Sequence, residues 1–202
     1  MHTVFTIGYS GFELNEFIAV LKQHGVSALA DVRSMPYSRF KPEFNQDNLT
    51  VALFHAGIRY VFLGKECGAR VEDPSCIVDG KVNYNLVAES PVFKQGLQRI
   101  LTGSQKGFQV ALMCAEKDPI TCHRTILVSR NLNKYPDISV VHILGDGTLE
   151  KHEDAERRLM AVWKMTSLDL FKSPDDLLKE AYTKQGNKIA YRVDDEKPDG
   201  EE

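Results

Sequence analysis

Short apolar runs alternate along the chain with segments in which apolar residues recur every three or four positions. The runs predict five β-strands, at residues 4–7, 27–32, 58–63, 108–113 and 138–143. The periodic segments predict helices at residues 13–24, 45–56, 91–101, 119–133, 148–163 and 174–185. Strands that alternate with helices form βαβ units. We therefore predict an α/β fold, a Rossmann-like three-layer α/β/α sandwich around a mostly parallel sheet.

The spacing of these elements predicts one α/β domain over residues 1–166. Residues 64–90 form a long connection, and connections of that length in a compact domain are typical of a functional loop or lid. Residues 167–202 are predicted to hold one helix and an acidic tail that ends in DDEKPDGEE.

Composition narrows the class of protein. The chain has 202 residues, 43% of them hydrophobic, and a formal net charge of −3. This balance excludes a generally basic surface, so nucleic-acid binding would need a local cationic patch. Four cysteines are too few for a disulfide-built secreted domain. No signal-peptide pattern or membrane-spanning apolar run of about 20 residues is found. We expect a cytoplasmic protein with reduced thiols and no membrane partner, and we keep a homodimer as a candidate assembly.

Chemically capable residues follow the predicted strands. Ligands of open parallel sheets bind beyond the carboxyl ends of the strands. Asp31 and Arg33 follow the second strand, Lys65 and Glu66 follow the third, and Cys114 follows the fourth. The amino ends of the strands carry fewer such residues. The sequence therefore predicts a functional site along one rim of the sheet.

The segment CAEKDPITCHR, residues 114–124, is the richest part of this rim. Its Asp-Pro pair is a helix-start signal, so Cys122, His123 and Arg124 are predicted to lie near a helix N-terminus, where anions and thiolates are stabilised. Cys114 or Cys122 could be a nucleophile, and Arg124 with His123 could bind an anion. Equally, Cys114 could be a small buried apolar residue, and His123 and Arg124 could pair locally.

A zinc site at Cys114, Cys122 and His123 is the metal alternative. Neither a CxxC nor an HxxxH spacing is present, and no fourth ligand is evident. The sequence therefore predicts no metal and no other cofactor.

A second group of candidates surrounds the end of the second strand. Asp31 could act as a base or could orient Arg33, and Arg33, Arg39 and Arg124 could bind phosphate. Glu116 is a further candidate catalytic carboxylate. The other predicted substrate-binding residues are Tyr9, Ser10, Ser34, Tyr60, Lys65 and Glu66. Nearby aromatic residues could stack on a base or form part of the core; these are Tyr9, Tyr37, Phe40, Phe44 and Tyr60.

Several motifs together resemble one protein family. They are TIGYSG, DVRSMPYSR, the Phe44-Asn45 pair, GIRYVFLG, EDPS, CAEKDPITCHR and IAYR. In this combination they resemble the family called domain of unknown function 488, over nearly the whole chain. The resemblance implies a small α/β fold and an association with removal of alkylated purines, such as 3-methyladenine, from DNA. It also implies that Cys67 and Cys76 have no catalytic role.

The segment of residues 114–124 is also distantly similar to the anion-binding loops of rhodaneses and cysteine phosphatases. Those loops place an arginine five or six residues after the cysteine. Here Arg124 lies ten residues after Cys114 and two after Cys122, which departs from that pattern.

Three functions remain open from the sequence. The first is an enzyme that acts on a phosphate-bearing nucleotide or nucleic-acid substrate, with alkylated-base glycosylase activity as its narrower form. The second is a thiol-dependent enzyme of sulfur or phosphoryl transfer. The third is a non-catalytic ligand-binding module. We adopt the first as the working hypothesis, with a phosphate-bearing small molecule or nucleic acid as the partner.

Overall fold

A computed structural model describes residues 1–165 and 172–193. Its strands are β1 (His2–Gly8), β2 (Ala28–Asp31), β3 (Arg59–Phe62), β4 (Ile77–Val78), β5 (Lys81–Val82), β6 (Val110–Cys114), β7 (Ile138–Ile143) and β8 (Leu149–Lys151). Six of them form one sheet in the order β3-β2-β6-β1-β7-β8, and β4 pairs with β5. Only β8 runs antiparallel within the large sheet. The predicted α/β class with a mostly parallel sheet is confirmed.

Helices cover both faces of the sheet. They are α1 (Leu14–Gln23), α2 (Gln46–His55), α3 (Gly64–Cys67), α4 (Tyr84–Glu89), α5 (Pro91–Gln105), α6 (Arg130–Leu132), α7 (His152–Val162) and α8 (Pro174–Ile189). One core cluster joins the sheet to α1 and α2. The other joins it to α5, α7 and α8. This arrangement is the predicted three-layer sandwich.

Strand β6 illustrates why the central strands are continuous apolar runs. All five of its residues are buried. Val110 and Leu112 pack into the core beneath α5, whereas Ala111 and Met113 pack into the core beneath α1 and α2. A parallel strand covered on both faces needs apolar residues at every position rather than at alternate ones.

The helix predicted at residues 119–133 is divided in the structure. Asp118 does cap a helical start, since its side chain accepts from the backbone N–H of Ile120, but the capped element is a single 3₁₀ turn at Pro119–Thr121. Cys122 then adopts an extended conformation. A π-helix at Arg124–Ser129 follows and continues into α6. Cys122 and His123 thus lie in a break between two helical elements, and π-helices of this kind are frequent at functional sites.

The connection at residues 64–90 is built into the fold. It contains α3, a 3₁₀ turn at Pro74–Cys76, the β4–β5 hairpin and α4. Cys67, Val82 and Val87 from this segment are buried in the same core as α5. A long loop or lid was predicted here, and the structure shows that the segment contains packed secondary structure.

Helix α8 completes the core beyond the predicted boundary at residue 166. Leu177, Ala181 and Tyr182 are buried, and the side-chain amide of Gln185 donates to the carbonyl of Ile120 (2.9 Å). The helix predicted at residues 174–185 is therefore part of the α/β domain. The predicted acidic tail lies outside the described residues.

Within the described ranges, no helix combines the length and the apolar character that crossing a bilayer requires.

Candidate functional site

The carboxyl ends of three neighbouring strands bring the predicted site residues together. In the parallel pairing, Asp31 of β2 lies beside Met113 of β6, and Gly8 of β1 lies beside Cys114. Side chains that leave these strands share one rim. Two groups of residues meet there, which we call the arginine cluster (Tyr9, Asp31, Arg33 and Tyr60) and the thiol cluster (Cys114, Glu116, Cys122 and His123).

A buried ion pair forms the centre of the arginine cluster. Nε and Nη2 of Arg33 donate to the Asp31 carboxylate, with the shortest contact at 2.6 Å. The backbone N–H of Arg33 (3.1 Å) and the hydroxyl of Tyr60 (2.8 Å) also donate to that carboxylate. Burial, followed by the negative charge of Asp31, raises the pKa of Tyr60, which keeps this hydroxyl protonated as a donor.

The Arg33 guanidinium is held in place on several sides. Its Nη2 also donates to the carbonyl of Phe44 (2.9 Å), and its Cζ lies 5.0 Å from the ring centroid of Tyr9. Burial opposes the charged form, but the hydrogen bonds and charge of Asp31 raise the pKa of Arg33 overall. The remaining nitrogen, Nη1, is buried and has no hydrogen-bond partner among the described residues.

The thiol cluster places two sulfur atoms next to one imidazole. Sγ of Cys114 lies 3.7 Å and Sγ of Cys122 lies 3.9 Å from Nδ1 of His123. The Cys122 thiol also lies within hydrogen-bond distance of Oε2 of Glu116 (2.8 Å), and the backbone N–H of Arg124 donates to its sulfur (3.4 Å). Both cysteines and His123 are buried.

The environment separates the acidities of the two thiols. Burial alone would raise the pKa of Cys122, but its hydrogen bond with Cys114 and the charges of Arg124 and His123 lower it well below its usual value. The same hydrogen bond, together with burial, raises the pKa of Cys114. Burial and the nearby charge of Cys122 raise the pKa of Glu116. The cluster therefore favours the thiolate form at Cys122 over Cys114.

One hydrogen bond connects the two clusters. Nε2–H of His123 donates to the carbonyl of Val32 (3.0 Å), the residue between Asp31 and Arg33. This bond leaves Nδ1 of His123 as the nitrogen that faces the two sulfurs.

Arg124, a predicted phosphate ligand, lies inside the fold. Its guanidinium donates to the carbonyls of Glu116 (2.5 Å) and Lys117 (3.3 Å), and its Nε lies 3.4 Å from Oγ1 of Thr6. The side chain is fully buried. In this structure Arg124 holds the loop after β6 in place and does not face the outside of the rim.

Gly8 lets that loop approach the end of β1. A Cβ at position 8 would lie 1.8 Å from the carbonyl oxygen of Glu116, a distance that backbone atoms cannot accommodate. The backbone N–H of Ser10, a predicted candidate in the turn after β1, donates to the carbonyl of Ala115 (3.0 Å). The glycine-bracketed turn at the start of the chain therefore supports the loop that carries Glu116.

Four more of the predicted residues lie outside the two clusters: Ser34, Arg39, Lys65 and Glu66. The hydroxyl of Ser34 accepts from the backbone N–H of Arg70 (2.8 Å). Glu66 forms an ion pair with Arg99 of α5, because the turn of α3 directs it toward that helix. Lys65 and Arg39 are exposed. Tyr9, expected as a substrate contact, is buried and stacks on Phe44 with 4.5 Å between ring centroids.

The sequence provided no prediction for a chain of buried hydrogen bonds behind the rim. Oγ1 of Thr6 contacts Nδ1 of His142 (2.8 Å), and Nε2 of His142 contacts Nδ1 of His152 (3.0 Å). Nε2 of His152 contacts the hydroxyl of Tyr182 (3.1 Å), which donates to Glu156 (2.8 Å). This series of hydrogen bonds connects to the site because Oγ1 of Thr6 also faces Nε of Arg124. Polar residues inside otherwise apolar elements were the sequence signal that could have predicted it.

Two surface cavities, each of about 470 Å³, lie elsewhere. One is lined by residues of α5, β2 and β3, including Val61 and Arg99. The other is lined by residues at the end of α2 and the start of β3, including Phe54 and Arg59. Both flank the edge strand β3 and contain none of the residues of the thiol cluster.

Comparisons with known proteins give one match. A family model described as "Domain of unknown function DUF488" matches residues 13–131. No curated protein and no solved structure matches the chain at the threshold applied. The matched range contains Asp31, Arg33 and the whole thiol cluster.

Proposed function

Because the chain belongs to the family of domain of unknown function DUF488, whose description states no activity, we propose a function from the rim itself: an enzyme that binds and acts on a phosphate-bearing nucleotide or nucleic-acid substrate. Arg33 contacts a phosphate oxygen, and the adjoining β2–α2 loop, residues 32–45, contacts the bases. Glu116 is the acid–base group nearest to this substrate.

The observation that carries the proposal is the unpartnered Nη1 of Arg33. Buried polar groups almost always have a hydrogen-bond partner, and an exception inside a cluster of fixed donors is typical of a ligand site. The other two guanidinium nitrogens are occupied by Asp31 and Phe44. A guanidinium held in this way offers the two N–H groups of Nη1 in fixed directions, and phosphate oxygens are strong acceptors for them.

The β2–α2 loop supports a nucleotide or nucleic-acid ligand. Tyr37 is 65% exposed and Phe40 is 96% exposed, and the cationic residues Arg39 and Lys41 lie beside them in sequence. Exposed aromatic rings interleaved with cationic residues are typical of surfaces on which unpaired bases stack. Such a local patch is compatible with a net charge of −3.

The contacts of Asp31 favour a positioning role over a catalytic one. Its carboxylate accepts from the side chain and backbone of Arg33 and from Tyr60. It is also completely buried. A carboxylate with these contacts orients Arg33 and has no oxygen directed at a substrate. Glu116, with its raised pKa, is the better candidate for giving up or taking a proton.

Removal of alkylated purines is the narrower form of this proposal. A glycosylase needs a carboxylate near the sugar and an aromatic slot for the extruded base. We assign the role of the carboxylate to Glu116 and that of the aromatic slot to Tyr37 and Phe40. Incubation with alkylated double-stranded DNA, followed by chromatography of released bases, tests this form. Release of 3-methyladenine by the natural protein but not by Glu116→Gln supports it, and no release above the protein-free rate contradicts it.

We expect Tyr37→Ala and Phe40→Ala each to weaken binding of single-stranded oligonucleotide about tenfold. Base stacking on an aromatic side chain contributes about 1–3 kcal/mol, which corresponds to roughly 5- to 150-fold in affinity. The measurement is fluorescence anisotropy of a labelled oligonucleotide at several salt concentrations. Phe54→Ala is the matched control, because Phe54 is 77% exposed on α2, outside the loop.

A result in which all three aromatic variants bind equally well would contradict the role of the loop. Arg33→Lys tests the phosphate contact separately, since lysine keeps the charge but cannot reproduce the fixed N–H groups of Nη1. We expect it to weaken binding of both the oligonucleotide and a mononucleotide. Circular dichroism at the assay temperature establishes that each variant is folded.

A second candidate function is thiol-dependent sulfur or phosphoryl transfer, with Cys122 as the nucleophile. The observation that favours it is the set of contacts on Sγ of Cys122: the N–H of Arg124, the imidazole of His123 and the carboxyl of Glu116. Its sulfur would form a bond to phosphorus or sulfane sulfur while the bond to the leaving group breaks. Glu116 would give the leaving group its proton.

Alkylation kinetics test the second candidate. In the presence of a chelator at pH 7, we expect iodoacetamide to label Cys122 at least about tenfold faster than Cys67 or Cys76. All three cysteines are buried to a similar extent, so their access to the reagent is matched. Their acidities differ, since burial raises the pKa of Cys67 to about 12. Rates come from mass spectrometry of the labelled peptides. Equal rates for the three cysteines would exclude Cys122 as a reactive nucleophile.

A further inference from the structure

The thiol cluster has the geometry of a metal site. Sγ of Cys114, Sγ of Cys122 and Nδ1 of His123 all lie within 4.8 Å of one another. The two sulfur-to-nitrogen distances are 3.7 and 3.9 Å. In tetrahedral zinc coordination, Zn–S is about 2.3 Å and Zn–N is about 2.05 Å, which places each sulfur about 3.6 Å from the nitrogen. We propose that Cys114, Cys122 and His123 bind a thiophilic divalent cation of the zinc class.

The orientation of His123 supports this assignment independently of the distances. A metal-binding histidine usually donates its second ring N–H to a carbonyl or carboxylate, which fixes the tautomer and aims the other nitrogen at the ion. Nε2–H of His123 makes such a bond to the carbonyl of Val32. Its Nδ1 consequently faces the two sulfurs, and the neutral ring offers the electron pair of this nitrogen to an ion.

The surroundings of Cys122 fit a thiolate, and metal binding removes the proton of Cys114 as well. The backbone N–H of Arg124 donates to Sγ of Cys122, and its guanidinium holds the loop that ends in the cluster. Two thiolates also balance the charge of a divalent cation. Because sulfur ligands select soft ions over magnesium or calcium, the donor set restricts the metal to the zinc class.

Glu116 lies where a fourth ligand is needed. Its Oε2 is 2.8 Å from Sγ of Cys122, so a short side-chain movement brings a carboxylate oxygen to the ion. With Glu116 bound, the site has four protein ligands and is closed. With Glu116 displaced, the fourth position is left to water, as in catalytic zinc sites.

The inference does not rest on the proposed nucleotide function, because it concerns the affinity of the protein for a metal. It does compete with the second candidate, since a cysteine that binds zinc is not free to attack a substrate. It also differs from the prediction of no metal, which was made from the spacing of the residues and from the lack of an evident fourth ligand. Cys114 and Cys122 are brought together by the loop and the 3₁₀ turn between them, and not by a short motif.

Zinc binding by the 202-residue chain tests the inference directly. After reduction and dialysis against a chelator, we expect the protein to take up about one equivalent of zinc per chain in competition with a chromophoric chelator. Cobalt should give a thiolate-to-cobalt charge-transfer band and the intense visible bands of a tetrahedral ion. Cys114→Ser, Cys122→Ser and His123→Asn should each weaken zinc binding at least about 100-fold.

Cys67→Ser and Cys76→Ser are matched controls, because both residues are buried cysteines outside the cluster. They should bind zinc as the natural protein does. Glu116→Gln should weaken binding about 10- to 100-fold if its carboxylate is the fourth ligand. Equal affinity in Cys122→Ser and the natural protein would overturn the inference, as would binding that is lost in Cys67→Ser or Cys76→Ser.

A measurement on the natural protein covers the case in which a cluster variant does not fold. Zinc should slow alkylation of Cys114 and Cys122 by iodoacetamide and leave Cys67 and Cys76 unaffected. Identical labelling of all four cysteines with and without zinc would overturn the proposal. Neither result depends on nucleotide binding, so failure of the metal site and failure of the proposed function are separate outcomes.

Discussion

Replacement of Asp31 with asparagine should lower the free energy of unfolding by about 3–5 kcal/mol. Loss of one partner of a buried ion pair leaves the other charge uncompensated, and changes of this kind cost that amount. Both side chains of the Asp31–Arg33 pair are almost completely buried. Tyr60 would also lose the charge of its acceptor. The effect is therefore larger than the loss of one hydrogen bond.

Urea unfolding followed by circular dichroism measures this difference. Asp154→Asn is the control, because Asp154 also pairs with an arginine, Arg157, but on an exposed face of α7. Exposed pairs contribute at most about 1 kcal/mol. A difference below about 1 kcal/mol between Asp31→Asn and Asp154→Asn would contradict the buried pair as a main support of the rim.

Acidification from pH 6.5 toward pH 5 should also destabilise the fold. Burial lowers the pKa of His152 to about 4, and burial together with the charge of His152 lowers the pKa of His142 well below its usual value. Below about pH 6.5 the unfolded chain binds protons that the folded chain does not, so stability falls with pH in this range. Each histidine contributes up to about 1.4 kcal/mol per pH unit.

Urea unfolding at half-unit steps of pH gives the slope. His152→Gln should reduce it by up to about half, while His55→Gln, on the exposed end of α2, should leave it unchanged. Glu156 has the opposite effect on the slope. Burial raises its pKa, so protonation of its carboxyl favours the folded state at lower pH. A slope that is the same in His152→Gln and the natural protein would contradict a neutral buried histidine chain.

The sheet was predictable because its central strands are buried on both faces. Such strands are continuous apolar runs, and each predicted run coincides with a strand of the large sheet. Strand β8 was not predicted, since Leu149–Lys151 contains one apolar residue and pairs only at the sheet edge. The break in the helix predicted at residues 119–133 could not be predicted from the sequence either. An Asp-Pro start signal has the same form before a 3₁₀ turn and before an α-helix.

The rim residues were predictable only from the rule that ligands bind beyond the carboxyl ends of parallel strands. The rule identified Asp31, Arg33 and Cys114, because parallel strands end at a common edge. It also selected Glu66, but the short helix after β3 turns that side chain toward α5. The distances within the thiol cluster depend on how the chain folds between Cys114 and Cys122, which spacing alone cannot give.

The position of β1 at the centre of the sheet affects what the family-matched segment can do alone. Residues 13–131 begin after β1 and end before β7, although β1 pairs with β6 on one side and β7 on the other. A polypeptide limited to that segment would present β6 as a bare apolar edge, a template for aggregation. We therefore expect the smallest part of this chain that can fold to be larger than the segment that the family model matches.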